Sequence, residues 1–275
     1  MSLLAIAKVN YRVRIERSRF LAERFPFARE VLTFYERIAQ FQNDFYGQLP
    51  KLLGNRSVPV SGNFRSELNV SFLLEPFARF LSLSESYGPG SLATHSKQVR
   101  PVGENGWGEL LTRFWSTRTA EPTSTDPLTE FLARGFLQPY AEFLASSRLL
   151  PVLTMTVCRC PRCNSLPLLG VLRPEGDGGK RFLQCSFCSQ EWEFRRILCA
   201  HCGEEQEAKL PVYIAEQFPH VRVECCETCK HFLRTIDLTK DGNAVPMVDD
   251  LAVVPLTLWA QEKGYTRIRP NLLGT

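Results

Sequence analysis

Along the first half of the chain, apolar residues recur in alternating steps of four and three: Phe27, Val31, Phe34, Ile38, Phe41 and Phe45. That spacing lays one apolar stripe along a helix, and Pro26 can open it because its ring presets a helical φ. A second helix is expected from about Leu68 to Tyr87, with Pro76 interrupting or restarting it. Leu110, Leu111, Phe114 and Trp115 mark a short third. Asp126 followed by Pro127 reads as an N-cap and first helical position, leading into Leu128, Phe131, Leu132 and Phe136. Pro139 should kink that helix or split it before Tyr140 to Ala145. Stretches rich in Gly, Pro and Ser, Gly47 to Gly62 and Tyr87 to Gly106, read as loops. The Phe-rich stripes are core packing rather than a cofactor box.

The pattern then changes. Arg181-Phe182-Leu183-Gln184 runs into a cysteine pair, and Glu191-Trp192-Glu193-Phe194 alternates polar with aromatic after it. Val221 to Glu224 and Phe232 to Ile236 flank a later pair in the same way. Near the end, Asp249-Asp250 can cap a helix carrying Leu251, Val254, Leu258 and Trp259, shortened or shifted by Pro255. All ten cysteines lie between Cys158 and Cys229, a composition break that places a boundary near residues 151–157. The expected class is α+β: an N-terminal all-α domain over 1–152, then a tandem four-cysteine domain over 153–275. The latter comprises two rubredoxin- or zinc-ribbon-like modules, about 158–194 and 195–275, with short antiparallel strands and a C-terminal helix.

At 275 residues the chain can form one large domain or two ordinary ones. A formal charge of +4 permits an acidic partner but does not point to nucleic acid. The apolar start, Met1 to Val9, lacks a cleavage site behind it, and stretches such as Leu251 to Ala260 are too short to span a bilayer. The expectation is therefore a cytoplasmic protein without membrane insertion, whose cysteines hold metal rather than disulfides.

Four pairs share the Cys-x-x-Cys spacing: Cys160 with Cys163, Cys185 with Cys188, Cys199 with Cys202, and Cys226 with Cys229. Two intervening residues let a tight turn aim both sulfurs at one ion while its N–H groups hydrogen-bond the thiolates. The residue after the second cysteine needs a left-handed backbone, which Gly203 and Asn164 supply cheaply and Ser189 and Lys230 less well. Each tetrahedral ion needs two pairs. Grouping neighbours closes compact hairpins at lower entropy cost, and a crossed grouping stays open. Four thiolates suit zinc or a single iron, and spacing does not choose between them. Cys158 and Cys225 read as buried small apolar residues, with alternative ligands or reactive thiols as the sharper option. His201 and His231 read as outer-sphere or surface residues.

Gly176-Asp177-Gly178-Gly179-Lys180 lacks the phosphate-loop spacing and reads as a hairpin tip. The Arg-rich run from Arg12 to Arg24 reads as the solvated face of a helix. No Ser/His/Asp or Cys/His grouping carries a local catalytic signature, and no enzyme activity is expected.

The chain resembles the formate dehydrogenase accessory proteins called FdhE. The resemblance rests on Cys160-Pro161-Arg162-Cys163, Arg181 to Cys188 leading to Glu191-Trp192 and Arg195, Cys199-Ala200-His201-Cys202-Gly203, and Arg222 to Cys229. Asp249-Asp250-Leu251-Ala252, Gly264-Tyr265-Thr266-Arg267 and Pro270-Asn271 extend it through the tail, and Pro26 to Gln42 and Phe136 to Phe143 into the first half. It departs from the family pattern at Cys158, Cys225, Pro255 and Leu272-Leu273, none of them an expected ligand. The resemblance implies a cytoplasmic maturation factor that binds the catalytic subunit of a respiratory, molybdenum-containing formate dehydrogenase. It also implies rubredoxin-like ligation of two ions, with iron favoured and zinc the alternative. A rubredoxin-like electron carrier is the runner-up. A nucleic-acid-binding zinc ribbon ranks third, disfavoured by the charge balance around the knuckles. Trp192, Phe194 and Trp259 form one candidate contact surface, and the cleft between the halves is the other.

Overall fold

The computed structural model describes residues 9–54, 64–66, 68–116, 126–146, 157–176 and 178–274. The expected boundary at 152/153 lies outside the described residues. In the first half, α1 (Tyr11–Arg24) is capped by Asn10, whose side chain accepts from the Val13 N–H at 3.3 Å. A 3₁₀ turn at Pro26–Ala28 leads into α2 (Arg29–Leu53). Phe34, Ile38 and Phe45 of its stripe are buried, while Phe27 lies outside the helix and is exposed. α2 runs on through Gly47 and Pro50 where a loop is expected, and the rest of that stretch, 55–62, lies outside the described residues. α3 (Leu74–Tyr87) starts later than expected, with Pro76 in its first turn, where a missing N–H costs nothing. The expected loop after it contains α4 (Gly90–Val99), and α5 (Gly103–Ser116) begins earlier than its apolar cluster suggests.

The last helix of this half, α6 (Pro127–Ser146), is buried on nearly every side. Asp126 caps it as expected, accepting from the Thr129 N–H at 3.0 Å. Pro139 does not split it. A proline at 139 leaves the carbonyl of Gly135 without its helical donor, and Gln42 of α2 supplies the replacement, Nε2 to O at 2.7 Å. Phe136 then stacks on Phe45 and meets Phe77 edge-on, each at 5.1 Å between centroids.

The second half forms one seven-stranded sheet. β1 (Pro167–Glu175), β2 (Gly178–Cys185) and β3 (Glu191–Glu193) make one antiparallel meander. β4 (Val212–Ile214), β5 (Val221–Cys225) and β6 (His231–Asp237) make another. The two join through a parallel pairing of β1 with β6, and β7 (Thr266–Arg267) adds to the start of β6. Gly170 permits that junction: a Cβ there would sit 2.2 Å from Thr235 Oγ1. α7 (Pro246–Ala252) and α8 (Val254–Glu262) break between Ala252 and Val254, just before Pro255.

The compositional halves share their cores. One apolar cluster contains Trp115, Phe136 and Tyr140 together with Cys160, Cys163, Cys185 and Cys188. Another packs Leu21, Leu32 and Tyr35 against Val248 and Leu251 of α7. Arg14 and Arg17 also face inward, pairing with Glu142 and Asp249 at 2.9 and 2.6 Å, so the Arg-rich helix is only partly a solvated face. Beneath α7, Asp250 receives Arg234 at 2.8 Å, Arg267 at 2.7 Å and Asn271 at 3.0 Å, all buried. Among the described residues no helix is long and apolar enough to cross a membrane.

Candidate metal centres

Each Cys-x-x-Cys pair is a turn closed by the same bonds. The N–H of the first cysteine donates to the carbonyl five residues on, at 2.9 Å in all four: Cys160 to Ser165, Cys185 to Gln190, Cys199 to Glu204 and Cys226 to His231. The residue after the second cysteine has positive φ every time: Asn164 60°, Ser189 55°, Gly203 78° and Lys230 57°. Thus the turn imposes the left-handed backbone on Ser189 and Lys230 too, although their side chains do not favour it. Inside the turns, N–H groups aim at the first sulfur. Arg162 reaches Cys160 Sγ at 3.4 Å, Phe187 reaches Cys185 Sγ at 3.3 Å and His201 reaches Cys199 Sγ at 3.4 Å.

Neighbouring pairs come together. Cys160, Cys163, Cys185 and Cys188 form one cluster and Cys199, Cys202, Cys226 and Cys229 the other, the sulfurs of each within 4.8 Å of one another. Across the first, Cys160 to Cys188 is 3.6 Å and Cys163 to Cys185 is 3.3 Å. Across the second, Cys199 to Cys229 is 3.8 Å and Cys202 to Cys226 is 3.7 Å. A tetrahedral ion with metal–sulfur bonds of about 2.3 Å separates its ligands by about 3.8 Å, so both clusters fit one. Thiol chemistry agrees. Burial pushes Cys160 and Cys188 well up, whereas hydrogen bonds from Cys160, Cys185 and Cys188 overcome the same burial and hold Cys163 well down. A buried sulfur held in its charged form, as at Cys163, calls for a cation beside it. Two ions can be bound, and the donor set does not distinguish iron from zinc.

The two clusters differ in access. The first is buried throughout and lies under the helices; in the second Cys202 is exposed and Cys229 half-buried. Helical residues hold the first in place. Arg134 of α6 donates to the Ser186 carbonyl inside the second knuckle at 3.0 Å. Arg65 donates to Trp115 O at 2.8 Å and Ser165 Oγ at 3.2 Å, and its guanidinium lies 5.0 Å from the centre of the Phe187 ring. Ser189 Oγ donates to the buried carboxylate of Glu142, which also takes Tyr11 and Arg14. These guanidiniums put positive charge beside thiolates, the compensation that a four-thiolate site with a divalent ion needs.

Cys225 is buried, and burial, with Glu227 and Glu224, pushes its thiol up to about 12, in keeping with a small apolar residue. Cys158 is half-buried, its sulfur 3.7 Å from the Cys199 carbonyl. Trp192 and Phe194 are buried, Trp192 donating to Val157 O at 2.9 Å, so neither offers a contact surface; Trp259 is half-buried against Tyr213. His201 and His231 stack at 3.8 Å beside Cys229, a grouping that residue spacing did not reveal. His220, Asp241 and Asp249 also converge, but Arg17 already fills their centre, 2.8 Å from Asp241 and 2.6 Å from Asp249. A cleft of about 160 Å³ behind the second cluster is lined by Cys199, Cys226, Arg181, Arg222 and Glu224. Two of its guanidiniums are paired, Arg181 with Glu224 and Arg222 with Asp237.

Two family models meet end to end across this region: "FdhE, central domain" matches residues 159–196 and "FdhE, C-terminal domain" residues 197–273. The Protein FdhE homolog of Aquifex aeolicus (strain VF5) is 27% identical over 264 residues, covering 92% of each chain. The second half of the chain, residues 159–273, matches the FdhE family. The Protein FdhE homolog of Pseudomonas aeruginosa (strain PAO1) is 37% identical over 122 residues, 42% of this chain and 38% of that protein. The crystal structure of the FdhE protein from Pseudomonas aeruginosa shares the fold, with a TM-score of 0.74 at 22% identity over 98% of this chain and 97% of that one. Both four-cysteine clusters lie inside the segments that match FdhE.

Proposed function

We propose that this chain is a metal-binding accessory factor for a respiratory, molybdenum-containing formate dehydrogenase. It acts in the cytoplasm by gripping that enzyme's catalytic subunit, not by turning over a substrate. The observation that carries this reading is the pairing of the FdhE match over residues 159–273 with two complete four-sulfur donor sets. The ligands are Cys160, Cys163, Cys185 and Cys188 for one ion, and Cys199, Cys202, Cys226 and Cys229 for the other. Iron is the ion the family resemblance favours, and zinc fits the same donors. Bound, each ion cross-links two turns; the chain's own residues build the knuckles, supply N–H donors to sulfur and fix the helices against them. In this reading residues 1–152 are the helical domain and residues 153–275 the metal-holding one.

Electron transfer is the second reading, favoured by the exposure of Cys202, which would bring a metal-bound sulfur within reach of a redox partner. A pull-down from cells that make such a dehydrogenase separates the two. The accessory reading expects recovery of the catalytic subunit, loss of that recovery with Cys226→Ser/Cys229→Ser, and an inactive but still present dehydrogenase polypeptide when the chain is deleted. Full dehydrogenase activity in the deletion strain would contradict it and put electron transfer first.

A further inference from the structure

The geometry points to a third, exchangeable metal site at His201, His231 and Cys229, which captures a divalent ion from solvent and passes it to the second four-cysteine cluster. This inference rests on the reading of that cluster as a metal site. The donor atoms of the three residues lie within 4.8 Å of one another. Three such donors on one tetrahedral ion stand about 3.5 Å apart, a gap that rotation of the exposed His201 ring can close.

Three features set the pair up as ligands. The backbone N–H of His201 is committed to Cys199 Sγ at 3.4 Å, so the third knuckle itself projects the imidazole. The His231 carbonyl accepts from Cys226 N at 2.9 Å, which ties the partner ring to the fourth knuckle in the same way. His231 Nδ1 sits 2.8 Å from the Cys229 carbonyl, to which its N–H donates a hydrogen bond. That bond leaves Nε2 with its lone pair free, the arrangement that orients a metal-binding histidine. The rings stack at 3.8 Å and 15°, so their in-plane lone pairs run alongside each other, and the exposed His201 ring must turn out of the stack to bring its nitrogen onto the ion.

Position gives the site its use. The first cluster has no exposed sulfur, whereas the second shows Cys202 to solvent and shares Cys229 with the histidine pair. Three protein donors with positions left for water make an open site, which exchanges; four thiolates make a closed one, which retains. An aquated ion would trade water for the two imidazoles and the Cys229 thiolate, then move onto Cys199, Cys202 and Cys226. Each cysteine releases its thiol proton to solvent as it binds, and no electron is transferred.

The test uses the full chain with zinc or cobalt(II) alone. With the second cluster disabled by Cys199→Ser/Cys202→Ser, which leaves Cys229 free, equilibrium dialysis against zinc should find one weakly held equivalent beside the first cluster's tight ion, absent when His201→Ala is added. After a chelator has stripped the second cluster, its refilling, followed by the thiolate–cobalt charge-transfer band, should slow roughly ten-fold or more in His201→Ala. His231→Gln should slow it as well, and both variants should end with the same two tight ions. His201 is exposed, so its replacement leaves the fold intact. No weak equivalent in the Cys199→Ser/Cys202→Ser variant, or unchanged refilling in His201→Ala, would overturn the capture site alone. Loss of a tight ion in His201→Ala would overturn it too, by making the histidine part of the closed site. A chain that holds no tight ion at all defeats the four-cysteine reading first, and the capture site with it.

Discussion

Arg134, on α6, reaches Ser186, in the second knuckle: its Nη2 donates to the Ser186 carbonyl at 3.0 Å. Its Nη1 spans the Pro270 and Asn271 carbonyls at 3.0 and 3.2 Å. One buried guanidinium thus joins the helical half, the first metal cluster and the chain's tail. Burial, with Arg269 nearby, pulls its pKa down, while Glu130 favours the charge and the three carbonyls accept its N–H groups.

Arg134→Met keeps the volume and strands three carbonyls. It should lower unfolding stability by on the order of 3 kcal/mol and weaken metal retention at the first cluster more than at the second. Denaturant unfolding with chelator challenge reads both; equal loss at the two clusters would contradict the local role.

Chelator challenge of the intact chain should release metal in two phases. The fast phase belongs to the second cluster, because Cys202 is exposed and Cys229 half-buried. Cys202→Ser should remove the fast phase and leave the slow one, a result readable with a colorimetric chelator.

Lys230 is exposed at φ 57°, as the fourth knuckle requires. Lys230→Gly should fold as well as the unsubstituted chain or slightly better, whereas Lys230→Val should lose about 1–2 kcal/mol, since β-branching clashes with a left-handed backbone. Thermal melts of the metal-loaded proteins check the ordering. Ser189, under the same constraint, should not gain from glycine because its hydroxyl also serves Glu142.

Burial disfavours the Asp250 carboxylate, yet Arg234 and Arg267 outweigh it and hold its pKa below the ordinary range. A carboxylate depressed in the folded state adds stability above its unfolded pKa of about 4 and loses it as pH falls through the folded value. Asp250→Asn should therefore be less stable than the parent at neutral pH by on the order of 3 kcal/mol, with the gap narrowing below about pH 4. Urea unfolding at both pH values measures it; a constant gap would mean the ion network is not responsible.

The cysteine pairs, the capped start of α6 and the strands beside the knuckles were legible because each is written in local spacing. What escaped depended on distant partners. Pro139 reads as a break until Gln42, from another helix, is known to satisfy Gly135. The stretch Gly90–Val99 reads as a loop, yet Leu92, Ser96 and Val99 share a buried face, and Ser96 returns its hydroxyl to the Leu92 carbonyl at 2.8 Å. No periodicity announces the parallel pairing of β1 with β6, and β1 itself was missed, because a strand buried on both faces does not alternate. Arg14 and Arg17 look solvated for the same reason: Glu142 and Asp249 lie far along the chain.

The central claim, two closed four-cysteine sites built from neighbouring pairs, is tested most directly by elemental analysis of the full chain kept reduced and isolated without oxygen. The account predicts two tightly held ions per chain, with one retained in Cys199→Ser/Cys202→Ser and one in Cys160→Ser/Cys163→Ser. No metal in the reduced protein, or only one ion per chain that is absent from both double variants, would contradict it.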